Sequence, residues 1–219
     1  MPNKIKLIIF DLDGTLVDAY QAVAASINHA LSTFGFPGID DETIKRCVGW
    51  GDKHLVSKFV PPEKLDKVLS VYRSHHRSAL KSGTKFLPGA KQLLGQLKEE
   101  GYKLAIASNR PSRFTHIILK HLDVSSYFTT VVCADQVAAP KPAPDCLEKI
   151  LKTCRLSPEE TLYVGDMTID VETGKKCGVR TVGVITGSGT EDEIRRSGPQ
   201  WVIYHIAELQ KVLQELADE

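Results

Sequence analysis

Short apolar runs alternate with amphipathic stretches from residue 86 onward, and a further apolar run lies near the N-terminus. The apolar runs have the length and composition of buried strands and lie at 5–10, 102–107, 129–133, 161–164, 180–185 and 201–204. The stretches between them have helical spacing and lie at 88–100, 112–122, 143–154 and 168–177, with a closing helix after the last strand. This alternation predicts an α/β fold in which helices cover both faces of a parallel sheet.

Residues 19–82 show a different pattern, which is helical throughout. Apolar residues recur at helical spacing from Ala22 to Phe34, and Gly35 follows where a helix should end. Shorter helices are predicted at 41–48, 52–59 and 63–80, followed by a hinge-like linker at 81–84. We therefore predict a small all-helical cap domain (16–84) inserted after the first strand of a core formed by 1–15 and 85–219.

Polar side chains follow four of the predicted strands. Asp11 and Asp13 end the first strand, Ser108 and Asn109 the second, and Asp166 the fourth, with Asp170 one helical turn further on. Lys141 lies in the loop after the third strand. Because ligands bind beyond the carboxyl ends of strands in open α/β sheets, we expect all these residues to gather at one edge.

Taken singly, each of these groups has a local structural explanation. Asp11 and Asp13 could close an Asx turn, Ser108 and Asn109 could cap a helix, and a lone Lys-Pro is usually a solvated loop. Asp166 and Asp170 have i, i+4 spacing, which predicts one helix face and suits either capping or a hard cation. Two carboxylates crowded at a strand end repel each other and favour a bound cation.

Composition narrows the class of protein. The 219 residues carry a net charge of +1, so no global field attracts nucleic acid or a membrane surface. Five cysteines without a Cys-x-x-Cys pair indicate reduced thiols, and no apolar run reaches the ~20 residues of a membrane span. We expect a cytoplasmic protein that is a monomer or a weak homodimer.

The order of these residues resembles the haloacid dehalogenase superfamily of phosphohydrolases over essentially the whole chain, and most of all its phosphoglycolate phosphatase-like branch. The motifs that carry the resemblance are Asp-Leu-Asp-Gly-Thr-Leu-Val-Asp at 11–18, Val48-Gly49-Trp50-Gly51, Leu87-Pro88-Gly89-Ala90, Lys-Pro-Ala-Pro at 141–144 and Val164-Gly165-Asp166. The resemblance implies a doubly wound, Rossmann-like core with a helical cap, and Mg²⁺ as cofactor.

The resemblance also implies a role for each matching residue. Asp11 would be the nucleophile that forms an aspartyl-phosphate and a Mg²⁺ ligand, and Asp13 the acid/base, binding Mg²⁺ through its backbone carbonyl. Ser108 and the Asn109 backbone would hold phosphoryl oxygens, and Lys141 would neutralise charge between nucleophile and phosphate. Asp166 would bind Mg²⁺ directly, supported by Asp170.

The activity expected from this resemblance is Mg²⁺-dependent hydrolysis of a small phosphorylated metabolite such as phosphoglycolate. A β-phosphoglucomutase-like phosphotransferase, an inorganic pyrophosphatase and a catalytically silent binding or regulatory protein on the same fold remain alternatives. Two positions depart from many relatives: Ala19 stands where serine is common, and Arg110 where lysine is common.

The predicted cap is basic. Residues 43–81 hold nine Lys/Arg against three acids, a distribution that would attract small anions to the cleft or simply solvate helix faces. Candidates for substrate selection lie near the glycine loop; they are Lys45, Arg46, Trp50, Lys53 and His54.

Overall fold

The computed structural model describes residues 5–218. The strands are β1 (Leu7–Phe10), β2 (Val17–Asp18), β3 (Lys85–Phe86), β4 (Lys103–Ser108), β5 (Thr130–Cys133), β6 (Thr161–Gly165), β7 (Arg180–Val184) and β8 (Trp201–Ile203). The α-helices are α1 (Tyr20–Thr33), α2 (Asp41–Cys47), α3 (Asp52–Ser57), α4 (Leu65–Ser82), α5 (Ala90–Glu99), α6 (Ser112–His121), α7 (Asp145–Cys154), α8 (Thr168–Cys177), α9 (Glu191–Ser197) and α10 (Leu209–Asp218).

Six of these strands form a parallel sheet in the order β5-β4-β1-β6-β7-β8, which confirms the predicted α/β fold. The strands are short apolar runs because helices cover both faces: one hydrophobic cluster contains Ile8, Phe10 and Ile106, and a second contains Leu7 and Ile9. From β1 the sheet extends to one side through β4 and β5 and to the other side through β6, β7 and β8. The strand that delivers Asp11 is therefore central, with β4 and β6 as its neighbours.

The helical block α1–α4 follows the first strand, as predicted, and has its own cluster of buried apolar side chains, among them Ile27, Leu31, Ile44 and Val56. The predicted linker at 81–84 is shorter than expected, because α4 continues to Ser82. The last turn of α4 is held by Leu80, which is buried in the main cluster of the sheet. The exact domain boundaries stay a prediction.

A two-stranded ribbon joins the block to the sheet. β2 and β3 pair antiparallel, with Val17 opposite Phe86 and Asp18 opposite Lys85. Both chain crossings between block and sheet are thus tied to each other by backbone hydrogen bonds, which the sequence pattern did not indicate. Among the described residues, no helix has both the length and the apolar character that crossing a membrane requires.

Candidate active site

Asp11 leaves the end of β1 at the centre of the sheet edge. Its backbone N–H donates to the Val164 carbonyl at 2.8 Å, which continues the pairing of β1 with β6 by one residue. Gly14 then turns the chain with a φ of 84°, and a Cβ at this position would lie 2.5 Å from Asp166 Oδ2. Glycine is required here both by its backbone conformation and by the closeness of Asp166.

Lys141 lies at the centre of the charged groups. Its ammonium donates to Asp11 Oδ1 at 2.6 Å and to Asp170 Oδ1 at 2.7 Å, and its side chain is 3% exposed. It also donates to the Ala107 carbonyl at 3.0 Å and lies 3.1 Å from the Tyr163 hydroxyl. The lysine therefore cross-links three strand ends by way of one ammonium group.

Burial shapes the electrostatics of this cluster. Desolvation raises the pKa of Asp11 to about 7, although the Lys141 charge opposes the rise. Desolvation also raises the pKa of Asp166 well above its ordinary range, and the negative charges of Asp11 and Asp170 add to that effect. Burial alone would lower the pKa of Lys141, but the carboxylates of Asp11 and Asp170 outweigh it and raise that pKa.

Three buried carboxylates gather beside this lysine. Asp11, Asp166 and Asp170 each offer an oxygen, and these oxygens lie within 4.8 Å of one another. Asp166 directly follows β6 and lies before the first residue of α8, so the prediction that Asp166 and Asp170 share one helix face is wrong. They meet because the turn between β6 and α8 folds back, with the Met167 N–H donating to Asp170 Oδ2. The three carboxylates carry more negative charge than the one lysine balances, and their oxygens are the ligands that a divalent ion such as Mg²⁺ prefers.

Ser108 and Asn109 lie beside the cluster but use their side chains within the protein. Ser108 Oγ accepts from the Arg110 N–H at 3.2 Å. The Asn109 amide donates to the carbonyls of Lys141 and Gly49, at 3.0 and 3.1 Å, and its oxygen accepts from the Lys141 N–H at 2.9 Å. Asn109 therefore fixes the Lys141 loop and contacts the glycine loop of the helical block. Its backbone is the part still expected to hold phosphoryl oxygens.

Asp13 has a partner that sequence reasoning did not assign. Arg110 Nε and Nη2 donate to the two carboxylate oxygens of Asp13, at 2.8 and 2.7 Å. Both side chains are nearly buried, at 8% and 11% exposure. The only signal in the sequence was the unusual arginine after Asn109.

Ser188, in the loop between β7 and α9, is a second site residue that the sequence pattern does not indicate. Its N–H donates to Asp166 Oδ2 at 2.9 Å, while its hydroxyl contacts the Lys45 carbonyl and the Tyr20 hydroxyl. Arg46 donates to the Ser188 carbonyl at 3.0 Å. One loop residue thus contacts both the acidic cluster and the helical block.

A small cavity of about 40 Å³ opens between the helical block and the sheet edge. Its polar lining includes Asp11, Asp13, Ser108, Asn109 and Arg110. The five candidates for substrate selection do not line this cavity. Lys45 lies over the ring of Tyr20, and Arg46 donates to the backbone of the 187–190 loop. Trp50 is 44% exposed beside His54, and Lys53 is exposed as well. The glycine loop contributes Gly49 and Gly51 instead, so the role of those five side chains stays a prediction.

Known proteins are similar to this chain over nearly its whole length. The family model of haloacid dehalogenase-like hydrolases matches residues 8–184. A phosphoglycolate phosphatase of Haemophilus influenzae is 30% identical over 97% of this chain and 100% of its own length. A phosphoglycolate phosphatase of Aquifex aeolicus is 31% identical over 84% of this chain and 86% of its own. The crystal structure of a predicted phosphoglycolate phosphatase from Haemophilus somnus superposes with a TM-score of 0.89 at 26% identity, covering 95% of this chain and 97% of that one.

Proposed function

The chain belongs to the haloacid dehalogenase-like hydrolase family, in its phosphoglycolate phosphatase-like branch, and on that premise we propose that it is a Mg²⁺-dependent phosphatase of a small phosphorylated metabolite. The observation that carries the proposal is the contact of Lys141 with Asp11 inside a group of three buried carboxylates. A nucleophilic carboxylate can approach the phosphorus of an anionic phosphate group when a lysine and a bound cation offset the negative charge. The same carboxylate alone would be repelled.

In the proposed reaction Asp11 attacks the phosphorus and displaces the alcohol, forming an aspartyl-phosphate. The Asn109 backbone and Ser108 orient the phosphoryl oxygens, and Lys141 offsets their charge. Asp13 protonates the departing oxygen and then removes a proton from the water that hydrolyses the intermediate. Two in-line displacements at the same phosphorus return Asp11 to its starting state.

The residues that would hold Mg²⁺ are Asp11, Asp166 and the Asp13 backbone carbonyl, with Asp170 supporting them. Their fit rests on the donor set: three buried carboxylates have one nearby lysine, which leaves negative charge for a divalent cation to balance. A bound Mg²⁺ would neutralise the phosphoryl oxygens and so lower the barrier to attack.

Replacement of the nucleophile tests the proposal most directly. We expect Asp11→Asn to lower kcat by about 10⁴-fold or more, because an amide cannot form the acyl phosphate. The measurement is phosphate release from a panel of phosphorylated metabolites with Mg²⁺, and chelation with EDTA should stop release by the wild-type protein. Circular dichroism of the variant should match the wild type. Phosphate release by a folded Asp11→Asn variant at a rate near wild type would rule out Asp11 as the nucleophile.

Phosphoglycolate is our leading substrate, supported by the names of the relatives. The size of the cavity agrees with a small leaving group. Its volume of about 40 Å³ favours a compact substrate over a bulky one in this arrangement of the helical block.

A further inference from the structure

The pairing of Arg110 with Asp13 conflicts with the proposed work of Asp13. An acid/base must present a carboxylate oxygen to the leaving group and then to water, yet both oxygens of Asp13 accept hydrogen bonds from one guanidinium. Asp13 cannot simply turn away, because it would leave a nearly buried arginine without a counter-charge. Another anion that took the place of Asp13 on Arg110 would release the Asp13 carboxylate for proton transfer.

Arg110 is held in place from the helical block. Its Nη1 lies 2.7 Å from Nε2 of His76, which is fully buried on α4. Because a guanidinium has no acceptor, Nε2 must be the unprotonated nitrogen of His76, and Nδ1 must carry the hydrogen. Nδ1 lies 3.0 Å from Ser26 Oγ, and that hydroxyl donates to the Ala22 carbonyl at 2.6 Å. These contacts tie Arg110 to α4 and α1 of the helical block independently of Asp13.

The cavity leaves Arg110 as the natural partner for a second anionic group of the substrate. Among the described residues that line it, Arg110 is the only one with a positive charge. Asp52 also lines the cavity, but Arg73 holds it with two hydrogen bonds of 2.7 and 2.9 Å. The rest of the wall is mostly apolar and includes Val23, Val48, Leu55, Tyr72 and Phe114.

We propose that Arg110 is the binding site for a carboxylate of the substrate, which replaces Asp13 on the guanidinium and thereby frees Asp13 for proton transfer. One carboxylate replaces another on the same two N–H groups of the guanidinium, so the geometry and the charge of the ion pair at Arg110 do not change. The substrate class is a compact phosphate monoester with a carboxylate on the carbon next to the ester oxygen, because Asp11, Asp13 and Arg110 line the same small cavity. This proposal rests on the proposed phosphatase activity and assigns a specificity residue to it.

The test compares two substrates that differ only in the anion. 2-Phosphoglycolate carries the carboxylate, and 2-hydroxyethyl phosphate has a neutral hydroxymethyl group in its place. We expect the wild-type protein to prefer 2-phosphoglycolate by on the order of 100-fold in kcat/KM, the value of a charge-assisted bidentate contact. Arg110→Met should abolish the preference by raising KM for 2-phosphoglycolate.

Two further variants separate recognition from structure. Arg110→Lys keeps the charge without the planar fork and should show an intermediate preference, which guards against misfolding of Arg110→Met. Arg113→Met removes an exposed arginine from the first turn of α6, three residues after Arg110, and should leave both substrates unaffected. If Arg110→Met and Arg110→Lys lowered turnover of both substrates equally, Arg110 would only position Asp13, and carboxylate recognition would be overturned.

Binding decides the question independently of turnover. In Asp11→Asn, calorimetry should give a Kd for 2-phosphoglycolate on the order of 100-fold below that for 2-hydroxyethyl phosphate, and Asp11→Asn/Arg110→Met should bind both alike. Equal affinities in Asp11→Asn would overturn the inference even if the protein is a phosphatase. Unequal affinities without hydrolysis by the wild type would support the inference and reject the proposed function.

Discussion

At the scale of single residues, the site brings more negative charge together than its lysine can balance. Asp11, Asp166 and Asp170 are all buried, and Lys141 is in direct contact with two of them. Without a cation, the folded protein therefore favours a proton on this cluster. The consequence is a stability that depends on pH, with Asp11 as the group whose pKa is raised to about 7.

The sign of this dependence follows from proton binding. Between its ordinary pKa of 3.8 and its folded value of about 7, Asp11 holds a proton in the folded state that the unfolded chain releases. Its contribution to stability is fully present below about pH 3.8, falls as pH rises from there, and is lost once pH passes about 7. We expect the melting temperatures of metal-free wild-type protein and Asp11→Asn to lie closer together at pH 5 than at pH 8. At pH 8 the variant should unfold a few degrees higher.

Thermal unfolding followed by circular dichroism in EDTA measures both values. Because asparagine does not titrate, the difference between the two proteins reports Asp11 together with the effect of its charge on the pKa of Asp166. A difference in melting temperature that is the same at pH 5 and pH 8 would contradict a raised pKa at this position.

At the scale of elements, the loop between β7 and α9 supports the acidic cluster from one side. Gly187 approaches Asp166 so closely that a Cβ would overlap its carboxylate, and the next residue, Ser188, donates its N–H to the same side chain. Ser188 also contacts Lys45 and Tyr20. A change in this loop should therefore act on the cation-binding side chain and on the contact with the helical block together.

Gly187→Ala tests this dependence on the loop. The added methyl must displace Asp166, so we expect the increase in melting temperature produced by millimolar Mg²⁺ to fall by half or more, as weaker cation binding stabilises less. Gly95→Ala is the matched control, because a Cβ there meets no atom within 4 Å. An undiminished Mg²⁺ effect in Gly187→Ala would show that the displaced side chain does not bind the cation.

At the scale of the whole molecule, two hydrophobic clusters meet at the active site. Ile27 belongs to the cluster of the helical block and Leu94 to the cluster of the sheet, and both are fully buried. The two bodies also share contacts, since His76 of α4 packs edge-on against Phe114 of α6 with ring centroids 5.0 Å apart. Whether the block unfolds separately depends on how strong these shared contacts are.

Cavity-creating substitutions test the predicted division at 16–84. Ile27→Ala should destabilise the block by about 2–5 kcal/mol and speed amide hydrogen exchange across residues 20–82 while the sheet stays protected. Leu94→Ala should instead speed exchange in α5 and the sheet. Exchange that quickens equally over the whole chain in Ile27→Ala would mean that block and sheet unfold as one unit.

Much of the fold could be predicted because its signals are local. Apolar runs such as 5–10 and 161–164 mark strands by their own composition, and alternation with helices dictates a parallel sheet. Residues that follow successive strands, such as Asp11, Asp166 and Lys141, must then meet at one edge. The ribbon of β2 and β3 was missed because each strand has only two residues, too few to show a period.

The sequence by itself determined the sheet, the inserted helical block, and the expectation that Asp11, Lys141 and Asp166 share a site. These features depend on periodicity and chain order, which are written in neighbouring residues. Only the tertiary structure decided that Arg110 holds Asp13, 97 residues away along the chain, and that Ser188 contacts the acidic cluster. Such partners depend on how helices and loops pack over the strand ends, and no local pattern encodes that packing.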